Sequence, residues 1–197
     1  MEDSGRTVPA EHTLLGEHLR NHGYHTFATG KWHNGKAAFH RSFADGDEIF
    51  FGGMADHWNV PAFHYDPSGK YDQAIPECVN PGRSNALRWR QADHIQPGLH
   101  SSEMVCNAAI ELINRAPADS PFFGYVAFLA PHDPRTMPEE FRKMYQPEAM
   151  ELPPNFLGGH PFNNGFLRGR DEVLAEFPRD PREIKRHLAE YYAMITH

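Results

Sequence analysis

The 197-residue chain has few of the features that mark membrane, nucleic-acid-binding or disulfide-rich proteins. Its only cysteines, Cys78 and Cys106, cannot form a disulfide framework and say little about the redox compartment. No apolar run approaches the roughly 20 residues that a membrane-spanning helix needs. Lys and Arg together number 19 against 26 Asp and Glu, so the formal net charge is −7. Because nucleic acids and anionic membranes attract basic surfaces, this charge argues against both partners.

The composition is that of a globular protein, with 40% hydrophobic and 12% aromatic residues. The segment Met1–Arg6 lacks the basic-then-apolar pattern of a secretory leader, so no signal peptide is visible and the compartment is left open. Among the 14 histidines, His18 and His22 have the i, i+4 spacing that can hold a metal on a helix. No third ligand follows at a recognisable spacing, so we interpret this pair as a solvated helix face.

A helix followed directly by a strand is predicted near the start of the chain. Leu15 and Leu19 have helical spacing, and we expect them to pack on a core. Gly23 suits a helix stop because glycine adopts the left-handed conformation without steric cost. The segment Tyr24–Thr29 is rich in aromatic and threonine residues, which are typical of strands.

Two basic side chains follow this predicted strand. Gly30 allows a turn or a close backbone approach, and Lys31 and His33 come directly after it. Residues two apart in an extended segment project to the same side. An ammonium beside an imidazole can hold an anion and move a proton, so the sequence predicts an anion site here.

A second helix–strand unit is predicted over residues 101–129. Residues 101–115 have an amphipathic helical stripe, and we expect Ser101 or Ser102 to cap the helix. The apolar run Phe122–Leu129 is typical of a strand that is buried on both faces of a parallel sheet. Two such units predict an α/β protein with a parallel sheet flanked by helices.

His132 lies just beyond the second predicted strand. Ligands of open α/β sheets bind outside the carboxyl ends of the strands. We therefore expect Lys31, His33 and His132 to meet on one face.

The remaining segments carry weaker signals. Residues 34–99 show no sustained period and are predicted to be an irregular excursion over the same face, with a hairpin turn at Asp66–Gly69. Within it, Trp58 could contact a sugar-like substrate or simply anchor the loop, and anchoring is the favoured interpretation. Residues 136–179 are predicted to be mostly loop, and Asp180 is predicted to cap a last helix.

The run Gly23-Tyr24-His25-Thr26-Phe27-Ala28-Thr29-Gly30-Lys31-Trp32-His33 closely resembles the second signature of the sulfatases, the formylglycine-dependent branch of the alkaline-phosphatase superfamily. The resemblance is specific at residues 13–35, clear at residues 101–135, where Pro121–Arg135 carries it, and recognisable at residues 182–197. It implies an alkaline-phosphatase-like sheet, here incomplete, and hydrolysis of small-molecule or saccharide sulfate esters. Family members are often exported or periplasmic.

The resemblance also implies a role for each basic residue. Lys31 would neutralise the sulfate oxygens. His33 would hydrogen-bond the hydrated aldehyde of formylglycine and help to expel sulfate. His132 would protonate the leaving oxygen as a general acid. Lys31 and His132 would also bind substrate, and Trp58 is a further candidate for substrate contact from its place in the loop rather than from the resemblance.

Several family features are not found in the sequence. The Cys-x-Pro-x-Arg segment that supplies formylglycine should precede Lys31, and no cysteine lies there. Cys78-Val79-Asn80-Pro81-Gly82-Arg83 has one residue too many and follows Lys31. The resemblance implies Ca²⁺, but its Asp and Asn ligands are not recognisable here. We therefore expect residues 1–197 to be the central part of a sulfatase catalytic domain, inactive by itself.

Two alternatives stay open at this point. The chain could be a degenerate anion-binding module that has kept the pocket but not the nucleophile. It could also be a relative of the phosphatases and phosphonate hydrolases, since the superfamily treats sulfate and phosphate alike.

Overall fold

The computed structural model describes residues 7–162 and 174–197. The described residues form two compact units, one of residues 7–134 and the other of residues 135–162 and 174–197. Within the described ranges, no helix combines the length and the apolar character that crossing a membrane requires.

The first unit alternates helices and strands. Its elements are α1 (Leu15–Asn21), β1 (His25–Lys31), α2 (Lys36–Ser42), β2 (Asp45–Phe50), β3 (Pro61–Ala62), β4 (Ala74–Cys78), β5 (Leu87–Gln91), β6 (His94–Ile95), α3 (Ser101–Asn114) and β7 (Phe122–Ala127).

The main sheet of this unit is parallel and has the strand order β2-β1-β7. The central strand β1 follows α1, and β7 follows α3, so both predicted helix–strand units are confirmed. β1 is buried along its five middle residues, as expected of a strand with a partner on each side. The predicted α/β class with a parallel sheet is therefore confirmed.

Helices cover the two faces of this sheet. Ile49 and Phe50 are neighbours on β2, and successive residues of a strand project to opposite faces. Ile49 packs in a cluster with Phe39 of α2, whereas Phe50 packs in a second cluster with Val105 of α3. The sheet thus lies between α2 and α3.

The prediction that residues 34–99 are irregular is wrong. This segment contains α2 and the parallel strand β2, as well as two small antiparallel pairs, β3 with β6 and β4 with β5. β2 was missed because it begins with polar residues. The first of these, Asp45, accepts two hydrogen bonds from Arg115, at 2.8 and 2.7 Å, which stabilise an acidic residue at the start of the strand. The turn at Asp66–Gly69 is present, but the hairpin is formed by β4 and β5.

The prediction that the strand over Phe122–Leu129 is buried on both faces is also wrong. Phe122 is 48% exposed and Phe128 is 47% exposed. In the described part of the chain, β7 pairs only with β1 and is an edge strand, so one side of it has no sheet neighbour. Leu15 of α1 is likewise exposed, at 65%, rather than packed on the core.

Helix caps differ from the prediction in α3. The N-cap is His100, whose Nδ1 accepts from the backbone N–H of Ser102 at 3.2 Å, so neither serine is the capping residue. Val105 and Leu112 of the predicted stripe are fully buried, but Ile113, predicted to belong to the same stripe, is 48% exposed.

The second unit contains α4 (Glu139–Arg142), a short 3₁₀ helix (Pro147–Ala149) and α5 (Pro181–Thr196). Asp180 caps α5 as predicted, since its side chain accepts from the N–H of Arg182. Part of the predicted loop over 136–179, residues 163–173, lies outside the described residues.

The approach of β1 to β7 gives the first testable prediction. Gly30 has φ +85°, and a Cβ placed there would lie 2.0 Å from the carbonyl oxygen of Ala127. Gly23 has the same φ, but nothing lies within 4 Å of its Cβ position. Gly23→Ala should therefore cost only the left-handed strain, about 1–2 kcal/mol, whereas Gly30→Ala should cost clearly more because β7 must also move. Urea unfolding of both variants measures the difference, and equal losses would contradict the close approach.

Candidate functional site

The parallel sheet brings the segments that carry the predicted site residues to one edge. Lys31 is the last residue of β1 and pairs with Phe50, the last residue of β2. β7 ends at Ala127, which pairs with Gly30, and His132 follows five residues later. The segments that carry Lys31, His33 and His132 thus leave adjacent parallel strands at their carboxyl ends. Joint contact of the three side chains with one anion stays a prediction.

Trp32 fixes the segment between Lys31 and His33. Its backbone N–H donates to the carbonyl of Phe50 at 2.9 Å, and its indole N–H donates to the carbonyl of Gly35 at 2.9 Å. Its ring meets that of Phe43 edge-on at 5.4 Å. A tryptophan held at both its backbone and its ring leaves little freedom to the residues on either side of it.

His33 is exposed and faces the loop after β2. A Cβ placed on Gly53 would lie 3.6 Å from Cε1 of His33, which shows how closely the imidazole approaches this glycine. The loop that carries Gly53 also carries His57 and Trp58, so it borders the segment that follows β1.

A buried histidine ties this loop to the segment of His132. His57 is 1% exposed and its Nε2 lies 2.9 Å from the carbonyl oxygen of His132. Its Nδ1 lies 2.6 Å from Oγ of Ser101, the first residue of α3. Because a carbonyl can only accept, Nε2 of His57 donates to it, and Nδ1 then accepts from the hydroxyl of Ser101 in the neutral imidazole. Three separate segments are thus joined at one side chain.

Burial lowers the pKa of His57 below the ordinary value of 6.5. The hydrogen bond to His132 and the nearby carboxylate of Asp56 oppose this shift without overcoming it. His57 is therefore neutral at pH 7, which agrees with the tautomer that the hydrogen bonds require.

Trp58 is half-buried next to this histidine. Its ring meets that of His100 edge-on at 5.0 Å, and His100 in turn stacks on His57 at 5.2 Å. These contacts are what the anchoring role of Trp58 requires, while substrate contact by Trp58 stays a prediction.

Sequence reasoning missed His57 as a positioning residue. Its partner His132 is 75 residues away, so no local spacing connects the two. The sequence signal that could have found it is its place between the apolar residues Ala55 and Val60, both of which are buried in the structure.

The cysteines of the chain do not lie at the candidate site. Cys78 ends β4 in the separate β4–β5 hairpin, and its Sγ donates to the carbonyl of Ser84 at 3.1 Å. Cys106 is exposed on α3. The predicted site residues Lys31, His33 and His132 are basic, whereas Ca²⁺ prefers several carboxylate and carbonyl oxygens. They do not fit a calcium site or a formylglycine nucleophile.

The fold and the site together define a class: an α/β protein with a candidate anion site at the carboxyl edge of its parallel sheet. Comparison with known proteins identifies the family. The chain belongs to the sulfatase family, whose family model matches residues 3–196. The family predicted from the sequence is therefore confirmed.

Individual relatives are similar at a modest level. The chain is 28% identical to the arylsulfatase of Klebsiella aerogenes over 68% of its own length and 27% of that protein. It is 25% identical to the arylsulfatase of Clostridium perfringens over 95% of its length and 40% of that protein. The ulvan-active sulfatase of Formosa agariphila is 27% identical over 75% of this chain and 26% of that protein. The chain thus spans between about a quarter and two fifths of these curated relatives.

Solved structures include the crystal structure of Ps i-CgsB in complex with k-i-k-neocarrahexaose. It superposes with a TM-score of 0.47 and 22% sequence identity, over 72% of this chain and 31% of that one.

Replacement of His57 tests its link to the His132 segment. His57→Phe removes both hydrogen bonds and leaves the Ser101 hydroxyl and the His132 carbonyl without this partner. We expect a loss of about 1–3 kcal/mol in the free energy of unfolding. His12→Phe, at an exposed histidine, is the matched control and should change little. Chemical denaturation measures both variants, and equal stability of the two would contradict the link.

The lowered pKa of His57 predicts a pH dependence of stability. The unfolded histidine titrates near 6.5 and the folded one below that value, so the unfolded state takes up the proton first as the pH falls. The contribution of His57 is complete above pH 6.5 and is lost as the pH falls from there towards the folded pKa. For one proton the slope cannot exceed about 1.4 kcal/mol per pH unit. His57→Gln should show a shallower slope as the pH falls below 6.5, and an unchanged slope would refute the assignment.

Proposed function

We propose that this chain is the part of a sulfate ester hydrolase that carries the basic residues of the sulfate site. The observation that carries this proposal is the placement of Lys31 and the His132 segment beyond the carboxyl ends of adjacent parallel strands. Family membership over residues 3–196 supports sulfate as the anion.

Each basic residue has a distinct task in the proposal. Lys31 neutralises sulfate oxygens, since a positive charge at that place stabilises the charge that builds up as the ester bond breaks. His132 gives a proton to the leaving oxygen, because an imidazole can both hold and release a proton near neutral pH. His33 donates a hydrogen bond on the nucleophile's side of the sulfur.

The backbone of the His132 segment supports the role of its imidazole. The carbonyl of His132 accepts from buried His57, and its N–H donates to the carbonyl of Leu129 at 3.1 Å. A general acid has to stay within hydrogen-bond reach of the leaving oxygen, so a segment held on both sides contributes orientation. The imidazole of His132 can therefore act from a fixed backbone.

The nucleophile and the metal ion are not assigned to residues of this chain. The sulfatase family is generally metal-dependent. Neither cysteine lies at the strand ends, and the basic site residues do not suit Ca²⁺. The proposed activity of residues 1–197 is sulfate binding, with turnover belonging to a protein that also supplies the nucleophile.

The proposed substrate class is a sulfate ester of a small molecule or a saccharide. The names of the arylsulfatases and of the ulvan-active sulfatase among the relatives support this breadth. A half-buried Trp58 in the loop beside His33 would suit a sugar ring, which packs on aromatic faces.

An anion-binding module without catalysis is the second candidate. The placement of Cys78 in a separate hairpin favours it, because the one cysteine with a nearby proline and arginine is not at the strand ends. The two candidates agree on sulfate binding and differ in turnover by the complete gene product.

Sulfate binding by the 197-residue chain tests the proposal. We expect Lys31→Ala to weaken sulfate affinity by about ten- to hundredfold, because a hydrogen bond to a charged group contributes about 1.5–3 kcal/mol. Lys70→Ala, at an exposed lysine, is the control and should leave affinity unchanged. Calorimetric titration with inorganic sulfate measures both, and equal affinities in the two variants would remove Lys31 from the site.

Turnover separates the two candidates. The complete gene product should hydrolyse an aryl sulfate, and His132→Ala should lower that rate while sulfate affinity changes less. Binding without turnover by the complete product would favour the module. Hydrolysis by the 197-residue chain itself would contradict our view that its residues lack the nucleophile.

A further inference from the structure

Three side chains outside the sulfate site form a compact group of metal-ligating atoms. His64, Asp93 and His94 each offer one ligand atom, and these atoms all lie within 4.8 Å of one another. The pairing of β3 with β6 creates the group, because Ala62 of β3 lies opposite His94. The two imidazole rings stack at a centroid distance of 4.2 Å.

Two carboxylates from β2 hold the two imidazoles. Oδ1 of Asp47 lies 2.7 Å from Nδ1 of His64, and Oε2 of Glu48 lies 2.9 Å from Nε2 of His94. Nδ1 of His64 and Nε2 of His94 are thus each bonded to a carboxylate of β2, and Nδ1 of His94 also contacts the carboxylate of Asp93. Metal-ligating histidines in proteins almost always donate their second nitrogen to a carboxylate or carbonyl in this way.

Asp93 is positioned by the backbone as well. Its Oδ2 accepts from the N–H of His64 at 2.9 Å, and its Oδ1 contacts Nδ1 of His94. One carboxylate oxygen is therefore occupied in orienting the side chain, and the other lies next to the imidazole nitrogen that is not bonded to Glu48.

Glu48 occupies a strained backbone position. It has φ +48°, which costs a residue other than glycine of the order of 1–3 kcal/mol. It is the extra residue of a bulge, because Thr29 pairs with Asp47 and Gly30 already pairs with Ile49. Bulges often serve to re-aim a side chain. Here the bulge accompanies a carboxylate that is 5% exposed and bonds both His94 and Gln96.

We propose that His64, Asp93 and His94 bind a divalent transition-metal ion of the zinc class. Two imidazoles and one carboxylate suit such an ion and leave one position of a tetrahedral site for water. Asp47 and Glu48 orient the two histidines. The side chain of His64 is 65% exposed, so the ion has a path from solvent. An imidazole-based site does not suit Ca²⁺, so this ion is separate from the calcium that the family implies.

A salt-bridge network is the competing explanation of the same contacts. Without an ion, Glu48 and Asp93 raise the pKa of His94 to about 9 against the opposing effect of burial. An ion then has to displace that proton, which lowers the affinity near neutral pH. The network by itself accounts for the contacts of His94. It does not predict that the histidines bind an ion, and the experiment measures that binding.

Titration of the 197-residue chain with Co²⁺, followed by its visible absorption and then by displacement with Zn²⁺, tests the proposal. We expect one Co²⁺ per chain and its displacement by one Zn²⁺. His64→Gln and Asp93→Asn should each abolish the signal or weaken binding by at least about tenfold. The double variant His18→Gln/His22→Gln removes the other histidine pair of helical spacing and should bind as the wild type does.

Asp47→Asn separates metal binding from a purely structural cluster. It keeps the size of the side chain and should weaken Co²⁺ binding by about 10- to 100-fold, as loss of an orienting carboxylate typically does. Circular dichroism establishes that each variant is folded. The proposal is overturned if the wild type binds no Co²⁺, or if binding survives in His64→Gln and is lost in His18→Gln/His22→Gln. Neither result depends on sulfate binding, so the two proposals fail independently.

Discussion

The contact between β1 and β7 at Gly30 is the constraint on which the candidate site depends. The backbone at Gly30 comes so close to Ala127 that even one methyl group would collide with its carbonyl oxygen. The two strands keep their parallel register up to the pair of Gly30 with Ala127. Lys31 follows Gly30 as the last residue of β1, and the His132 segment follows β7. The pairing of β1 with β7 thus sets the backbone positions from which both basic side chains extend.

Beyond the strand ends, hydrogen-bonded side chains rather than strand pairing hold the backbone in place. Trp32 is fixed by two hydrogen bonds and by packing on α2, so the chain between Lys31 and His33 is held. His57 joins the His132 segment to α3 through two hydrogen bonds that have little contact with water. Buried hydrogen bonds of this kind are costly to leave unmade, which makes them good positioning devices. The exposed imidazole of His33 lies beside Gly53 of the same loop.

The features that could be predicted from the sequence are those that local residue patterns determine. Both helix–strand units, the parallel sheet and the cap at Asp180 follow from periodicity and turn residues, and the structure confirms them. β2 was not predicted, because Asp45 and its polar neighbours do not show the apolar pattern of a buried strand. Its burial comes from packing with residues far away in the sequence. The exposure of Phe122 was not predicted either, because an apolar run does not tell whether a second strand covers it. The hydrogen bond from His57 to the His132 segment spans 75 residues, beyond the reach of any spacing rule.

Family membership supports sulfate as the anion, and we propose that Lys31 and His132 surround one tetrahedral oxyanion at the strand ends. A crystal structure of the chain with molybdate, located by its anomalous scattering, tests this most directly. The account predicts one oxyanion at the carboxyl edge of the parallel sheet, within hydrogen-bond distance of both the ammonium of Lys31 and the imidazole of His132. An oxyanion bound elsewhere, or the two side chains on opposite faces of the sheet, would contradict it.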